Sequence, residues 1–114
     1  MKAKFIYEAL KDILRAKSLE EIMPHLEAME PNDMLKKCAE FGFLPGVKKA
    51  LERGADVHAG HDWALGQASR NGHIDVVELL LKNGADVHAG NDYALRWASE
   101  NGHTDVVELL KKYM

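Results

Sequence analysis

Two histidines and an aspartate stand close together in the chain, at His58, His61 and Asp62. Imidazole nitrogens and carboxylate oxygens bind Zn²⁺ and similar ions, so these side chains are the clearest candidates for a metal-dependent active site. In the matching segment thirty residues later, however, Asn91 replaces His61, and the spacing is not that of structural zinc sites. We therefore predict no metal and no other cofactor, and interpret His58 and His88 as residues that join neighbouring connectors by hydrogen bonds.

A histidine followed two residues later by an aspartate occurs twice, at His73 with Asp75 and at His103 with Asp105. Such a pair could act as a general base, but no nucleophilic side chain accompanies it in both places. The acidic residues are better explained as favourable charges at the N-terminal end of a helix. Cys38, the single cysteine, aligns with small core positions and is interpreted as a core residue. We predict no catalytic residues and no enzymatic activity.

The charge and hydropathy of the 114-residue chain limit the partners that it can bind. Its 15 basic and 18 acidic residues give a net charge of −3, and residues 54–114 alone carry five basic and nine acidic residues. Phosphate contacts depend on clustered Lys and Arg, so we expect no nucleic acid partner. No apolar stretch is long enough to span a membrane, and the first residues do not form a signal peptide. We expect a single domain in the cytoplasm.

The elements that position these residues form a repeat. Residues 54–83 and 84–113 are identical at 22 of 30 aligned positions, and a weaker copy precedes them at 32–53. Self-similarity at this period predicts a solenoid, in which each unit buries its apolar face against its neighbours. The weaker copy is carried by Met34, Leu35, Cys38, Ala39, Gly42 and Val47.

Each unit is predicted to contain two helices and an extended connector. Asp62 and Asp92 are N-cap candidates for the first helix of their units, and Gly72 is the expected terminator. The second helix is expected over 73–83, with Gly84 as its C-cap. Glu78 and Lys82 are spaced to pair on its outer face. We place Leu65, Ala68, Ser69, Val76, Val77, Leu80 and Leu81 on the buried faces.

The repeated pattern Ala-Leu-x-x-Ala-Ser-x-x-Gly-His-x-Asp-Val-Val-Glu-Leu-Leu resembles the ankyrin repeat. The resemblance covers residues 32–114 and implies an all-α, ankyrin-type α-solenoid of three units, 32–53, 54–83 and 84–114. Each unit is about three residues shorter than the usual ~33, and the Asp-Gly turn tip is missing, so the connector loops should be blunt. This compact variant is similar to ankyrin arrays of large DNA viruses, phages and some bacteria.

Residues 1–31 do not follow the repeat and are predicted to form an N-terminal helical cap. A Ser18-Leu19-Glu20-Glu21 capping box opens a second helix there, which Pro24 should kink or shorten. The first helix of the cap is predicted from the apolar stripe of Phe5, Ile6, Ala9, Leu10, Ile13 and Leu14.

The eight positions at which the two close copies differ carry the functional prediction. Five of them fall on the first-helix side and the loop before it, which the ankyrin resemblance implies is the concave, partner-binding face. Trp, Tyr and Arg are enriched in interface hot spots, although exposed positions also vary freely and the tryptophans could simply pack against a connector. The predicted binding residues are His61, Trp63, Gln67, Arg70, Asn71, Asn91, Tyr93, Arg96, Trp97, Glu100 and Asn101.

The sequence therefore predicts a non-catalytic protein-protein interaction module, either an adaptor or an inhibitor. Its main alternative is a self-assembling, homo-oligomeric ankyrin protein. That alternative needs the apolar residues of the last unit to be available for pairing. They are Leu109, Leu110, Tyr113 and Met114.

Overall fold

A computed structural model describes residues 24–114. The predicted helices over residues 1–23 lie outside the described residues. After a short helical segment at 24–27, the described chain contains pairs of helices and no strand. They are α1 (Pro31–Phe41), α2 (Leu44–Glu52), α3 (Ala59–Arg70), α4 (Ile74–Lys82), α5 (Ala89–Glu100) and α6 (Thr104–Lys112). No helix in this part of the chain is long and apolar enough to cross a membrane.

The helices form two layers. The first helices of the units, α1, α3 and α5, pack closely on one another, whereas the second helices α2, α4 and α6 make fewer contacts with their neighbours. A stack that is tighter on one side curves toward that side. The first helices therefore form the inner layer and the second helices the outer one, and the all-helical solenoid predicted from the repeat is confirmed.

The turn between the two helices of a unit depends on a glycine. Gly72 ends α3 with a φ of +76°, and the amide of His73 donates to the carbonyl of Ala68 at 2.9 Å. A Cβ on Gly72 would lie 2.6 Å from Nδ1 of His103, which belongs to the next unit. Glycine is therefore required both for the left-handed backbone and for close packing between units.

One continuous core runs through the described residues, from Leu26 to Leu110. The stripe predicted for the second helix and the buried face predicted for the first are confirmed. Cys38 is also buried, and its burial raises the pKa of the thiol to about 12, as expected of an unreactive core residue. The availability of Leu110 for pairing was predicted wrongly, because Leu110 is fully buried; Tyr113 and Met114 are exposed.

The connector between units is not extended, and the prediction that Asp62 caps a helix was wrong. Gly60, His61 and Asp62 have φ values of +65°, +57° and +61°, which form a left-handed turn before the regular part of α3. Asp62 makes no cap hydrogen bond to α3, and its carboxylate instead contacts His58 and accepts from the amide of Asp86. The same turn recurs at 90–92, where Asp92 likewise makes no cap hydrogen bond. Left-handed backbone costs about 1–2 kcal/mol at each residue with a Cβ.

Candidate functional site

Three aromatic side chains meet on the inner layer. The ring of Trp97 lies 4.6 Å from that of Tyr93, measured between centroids, and 6.2 Å from that of Trp63 at an interplanar angle of 87°. Trp63 is 39 % exposed, while Tyr93 and Trp97 are partly buried. Two aromatic residues of one unit thus contact one of the preceding unit, and the edge-to-face arrangement is favourable. We call Trp63, Tyr93 and Trp97 the aromatic cluster.

Gly66 makes room for the aromatic cluster. A Cβ at this position in α3 would lie 3.0 Å from ring atoms of both Trp97 and Tyr93. The equivalent residue of the next unit is Arg96, which has no such ring above it in the described chain. Glycine therefore stands in the unit whose first helix the two rings cover, and arginine stands at the same position in the unit that supplies the rings.

The hydroxyl group of Tyr93 is held by the preceding connector. It donates a hydrogen bond to the main-chain carbonyl of His61. Burial, with a smaller contribution from the charge of Asp62, raises the pKa of Tyr93 to about 12. Tyr93 therefore stays a neutral donor at physiological pH, and it fixes the aromatic cluster against the left-handed turn.

Three cationic side chains lie at or near the aromatic cluster. The guanidinium carbon of Arg70 lies 5.9 Å from the centroid of the Trp97 ring, within the range of a cation–π contact. Arg96 donates from Nε and Nη2 to the carbonyls of Asn91 and Gly90. Lys36 was not among the predicted residues, although the repeat aligns it with Gly66 and Arg96. Its Nζ would lie 3.6 Å from a Cβ on Gly60.

The other predicted residues lie farther along the inner layer. Gln67 is only 4 % exposed. Asn71 donates to the carbonyl of Glu40 in the preceding unit, and Asn101 donates within its own helix to Trp97. Glu100 is exposed at the end of α5. A shallow groove of about 370 Å³ is lined by Glu40, Phe41, Gln67, Arg70 and Asn71.

These units match a known family. The family model described as ankyrin repeats (3 copies) matches residues 34–114. The chain belongs to the ankyrin repeat family. Ankyrin repeats are generally protein-interaction modules, and the family is typically non-catalytic. A search of curated proteins found no significant match to the chain.

The histidines of the ankyrin connectors make contacts within their own units. Nδ1 of His58 lies 3.0 Å from Oδ1 of Asp62, and Nδ1 of His88 lies 2.7 Å from Oδ1 of Asp92. The link to the next connector is made by Asp62 instead, whose Oδ2 accepts from the amide of Asp86 at 2.7 Å. The prediction that His58 and His88 join neighbouring connectors was therefore wrong, because the carboxylate of Asp62 makes this link as the acceptor.

The carboxylate of Asp62 raises the pKa of His58, mainly through the hydrogen bond and further through its charge. His61 projects its carbonyl toward Tyr93 and does not complete a three-residue cluster with this pair. Within residues 24–114, no three His, Cys, Asp or Glu side chains are grouped in a way that could hold a metal ion. In the described chain the connector residues act as structural hydrogen-bonding groups.

Proposed function

We propose that this ankyrin protein is an adaptor or inhibitor that binds a protein partner through the inner layer of first helices. The observation that carries the proposal is the aromatic cluster, in which Trp63 is 39 % exposed and the Arg70 guanidinium lies 5.9 Å from the Trp97 ring. Large aromatic and arginine side chains held in place by their neighbours are the residue types that dominate binding energy at interfaces.

The rigidity of the surface supports this proposal. Tyr93 is bonded to the connector, Arg96 is bonded to two carbonyls, and Asn71 is bonded to the preceding unit. Side chains that are already ordered lose little entropy when a partner binds. The second helices present a different surface, on which Glu78 and Lys82 pair with each other at 2.9 Å and are solvated.

The test begins with a pull-down of the intact chain and identification of the bound protein by mass spectrometry. Calorimetric titration then compares Arg70→Ala and Trp97→Ala on the inner layer with Glu78→Ala and Lys82→Ala on the outer layer. We expect each inner variant to lose about 2 kcal/mol, or about thirtyfold in Kd. The outer variants should bind like the parent, since solvated contacts contribute little.

Folding must be checked because Trp97 is partly buried. Each variant is melted by circular dichroism, and only those that unfold like the parent are compared. Trp63→Ala serves as the second aromatic variant, since its side chain is more exposed. Binding that survives the inner variants and is lost in the outer pair would place the interface on the other layer. Light scattering over a concentration series would detect the alternative, self-assembly.

A further inference from the structure

Between residues 24 and 114, no ion pair neutralises the cations near the aromatic cluster. Ion pairs between two described residues join His58 to Asp62, Lys82 to Glu78 and His88 to Asp92. Lys36, Arg70 and Arg96 take part in none of them, and Arg96 is held only by main-chain carbonyls. Three positive charges with no ion-pair partner among residues 24–114 therefore lie near one group of aromatic rings, in a chain with a net charge of −3.

The carboxylates of the described residues form no ion pair with these three cations. Asp62 bonds to His58 and to the amide of Asp86, and Asp92 bonds to His88. Glu40 and Glu100 stand at the positions that the repeat aligns with Arg70, and neither forms an ion pair with it. Within the described residues, Lys36, Arg70 and Arg96 therefore lie among carboxylates without forming an ion pair with any of them.

We infer that the aromatic cluster, with Lys36, Arg70 and Arg96, binds an acidic segment of a protein partner in which carboxylates flank an apolar side chain. The inference rests on the function proposed above and specifies the chemistry of the partner. Carboxylates would accept charge-assisted hydrogen bonds from the guanidinium groups. The apolar side chain would cover the exposed face of Trp63.

A single-stranded nucleic acid also combines negative charge with flat rings, but it fits this surface less well. Its phosphates recur along the whole strand, and binding requires a groove that is positive over several nucleotides. Here the three cations are interrupted by carboxylates, with Glu40 beside Arg70 in one groove and Glu100, Asp56 and Asp86 at the helix end and in the connectors. A short acidic segment needs only the local patch of three cations.

The charge around the aromatic cluster can be measured directly, because both tryptophans of the chain, Trp63 and Trp97, belong to it. Quenching of tryptophan emission by iodide, caesium and neutral acrylamide is compared in the intact protein. Attraction of anions should make the Stern–Volmer constant for iodide at least about twofold larger than that for caesium at low salt. Equal quenching by the two ions, or stronger quenching by caesium, would overturn the inference.

Two matched variants separate local charge from net charge. Lys36→Gln/Arg70→Gln/Arg96→Gln should abolish the preference for iodide while acrylamide quenching stays unchanged. Lys48→Gln/Lys82→Gln/Lys112→Gln removes the same number of charges from exposed positions on the second helices and should retain the preference. A preference lost equally in both variants would mean that only the net charge matters, and would also overturn the inference.

Binding is tested with a capped ten-residue peptide, Gly-Glu-Glu-Phe-Glu-Glu-Leu-Glu-Glu-Gly, titrated against tryptophan emission. We expect the parent protein to bind this peptide. The Kd should rise at least about tenfold for the inner triple variant, Lys36→Gln/Arg70→Gln/Arg96→Gln, and by a similar factor for the parent when every Glu of the peptide is replaced by Gln. The outer triple variant, Lys48→Gln/Lys82→Gln/Lys112→Gln, should bind the peptide like the parent. No binding of the Glu peptide, equal binding of a Lys peptide, or tighter binding of a ten-nucleotide thymidine strand would contradict an acidic protein segment.

The two proposals fail in different ways. If Trp97→Ala weakens binding of the partner from the pull-down but the Glu peptide does not bind, only the acidic-segment inference is overturned. If that partner binds Trp97→Ala and Trp63→Ala as it binds the parent, the inner layer is not the interface and the proposed function is wrong.

Discussion

The connectors at 58–62 and 88–92 have nearly the same sequence and the same left-handed turn, yet they differ in their surroundings. The side chain of Asp62 is 5 % exposed and bonds both to His58 and to the amide of Asp86. That of Asp92 is 38 % exposed and bonds to His88. An identical residue thus contributes differently according to whether another unit packs over it.

The first unit shows which side chains can accept the hydrogen bond that Asp62 accepts from the next connector. Asn32, which aligns with Asp62, accepts from the amide of Asp56 at 2.7 Å, as Asp62 accepts from Asp86. Both links span 24 residues and join consecutive connectors. One acceptor oxygen is sufficient for this link, so Asn and Asp are interchangeable in it, and the negative charge of Asp62 serves mainly its contact with His58.

The largest expected difference comes from removing this acceptor in each unit. Asp62→Ala leaves the amide of Asp86 without its side-chain acceptor and should lower the free energy of unfolding by about 2–3 kcal/mol. Asp92→Ala, at the same backbone conformation, should cost less than about 1 kcal/mol. Asp62→Asn should recover most of the loss, as Asn32 indicates. Urea denaturation measures all three, and equal losses for the two alanine variants would refute the distinction.

Overpacking the helix interface should have the next largest effect. Ala68 and Ala98 are fully buried at equivalent positions. Ala98→Leu should lower stability by about 1–3 kcal/mol, and Ala68→Leu should lie at the upper end of that range, because α3 packs against first helices on both sides. The urea midpoints provide the comparison. A midpoint that hardly moves in either variant would show that the repeat register is wrong.

Exchanging the residues at the centre of the left-handed turn should have a smaller effect. His61 and Asn91 occupy equivalent positions with φ values of +57° and +56°. Asn tolerates this conformation better because its short side chain bonds locally, so His61→Asn should stabilise the protein by about 0.5 kcal/mol. Asn91→His should destabilise it by a similar amount. Thermal melts of the two single variants and of the double exchange test this prediction. Shifts of the melting temperature in the same direction for His61→Asn and Asn91→His would contradict it.

The smallest expected effect is a dependence on pH. The hydrogen bond and charge of Asp62 raise the pKa of His58, with the charges of Asp56 and Asp86 adding to the effect. Protonated His58 therefore stabilises the fold below about pH 6.5, and this contribution is lost as the pH rises through the pKa of the folded state. His58→Asn should leave the free energy of unfolding nearly unchanged at about pH 8. At about pH 6 the variant should lack the extra stability that protonated His58 gives the parent. Identical pH profiles for parent and variant would contradict this assignment.

Local signals in the sequence were sufficient to predict the helices and much of the inner layer. The buried stripe of α4 follows from the spacing of its apolar residues, and the helix stop at Gly72 follows from the freedom of glycine to adopt a positive φ. Trp63, Tyr93 and Trp97, which stand at positions that differ between the two copies, contact one another in the structure. Whether they bind a partner stays a prediction.

The sequence by itself determined the repeat, the pair of helices in each unit and the chain's membership of the ankyrin family. These depend on short-range residue spacing, which recurs in two nearly identical copies. Only the tertiary structure decided the role of Asp62, whose partner Asp86 lies 24 residues away, and the burial of Leu110. It also placed Lys36 near Gly60 and the aromatic cluster. Such contacts join separate units, and their geometry depends on how the units stack, which no local pattern specifies.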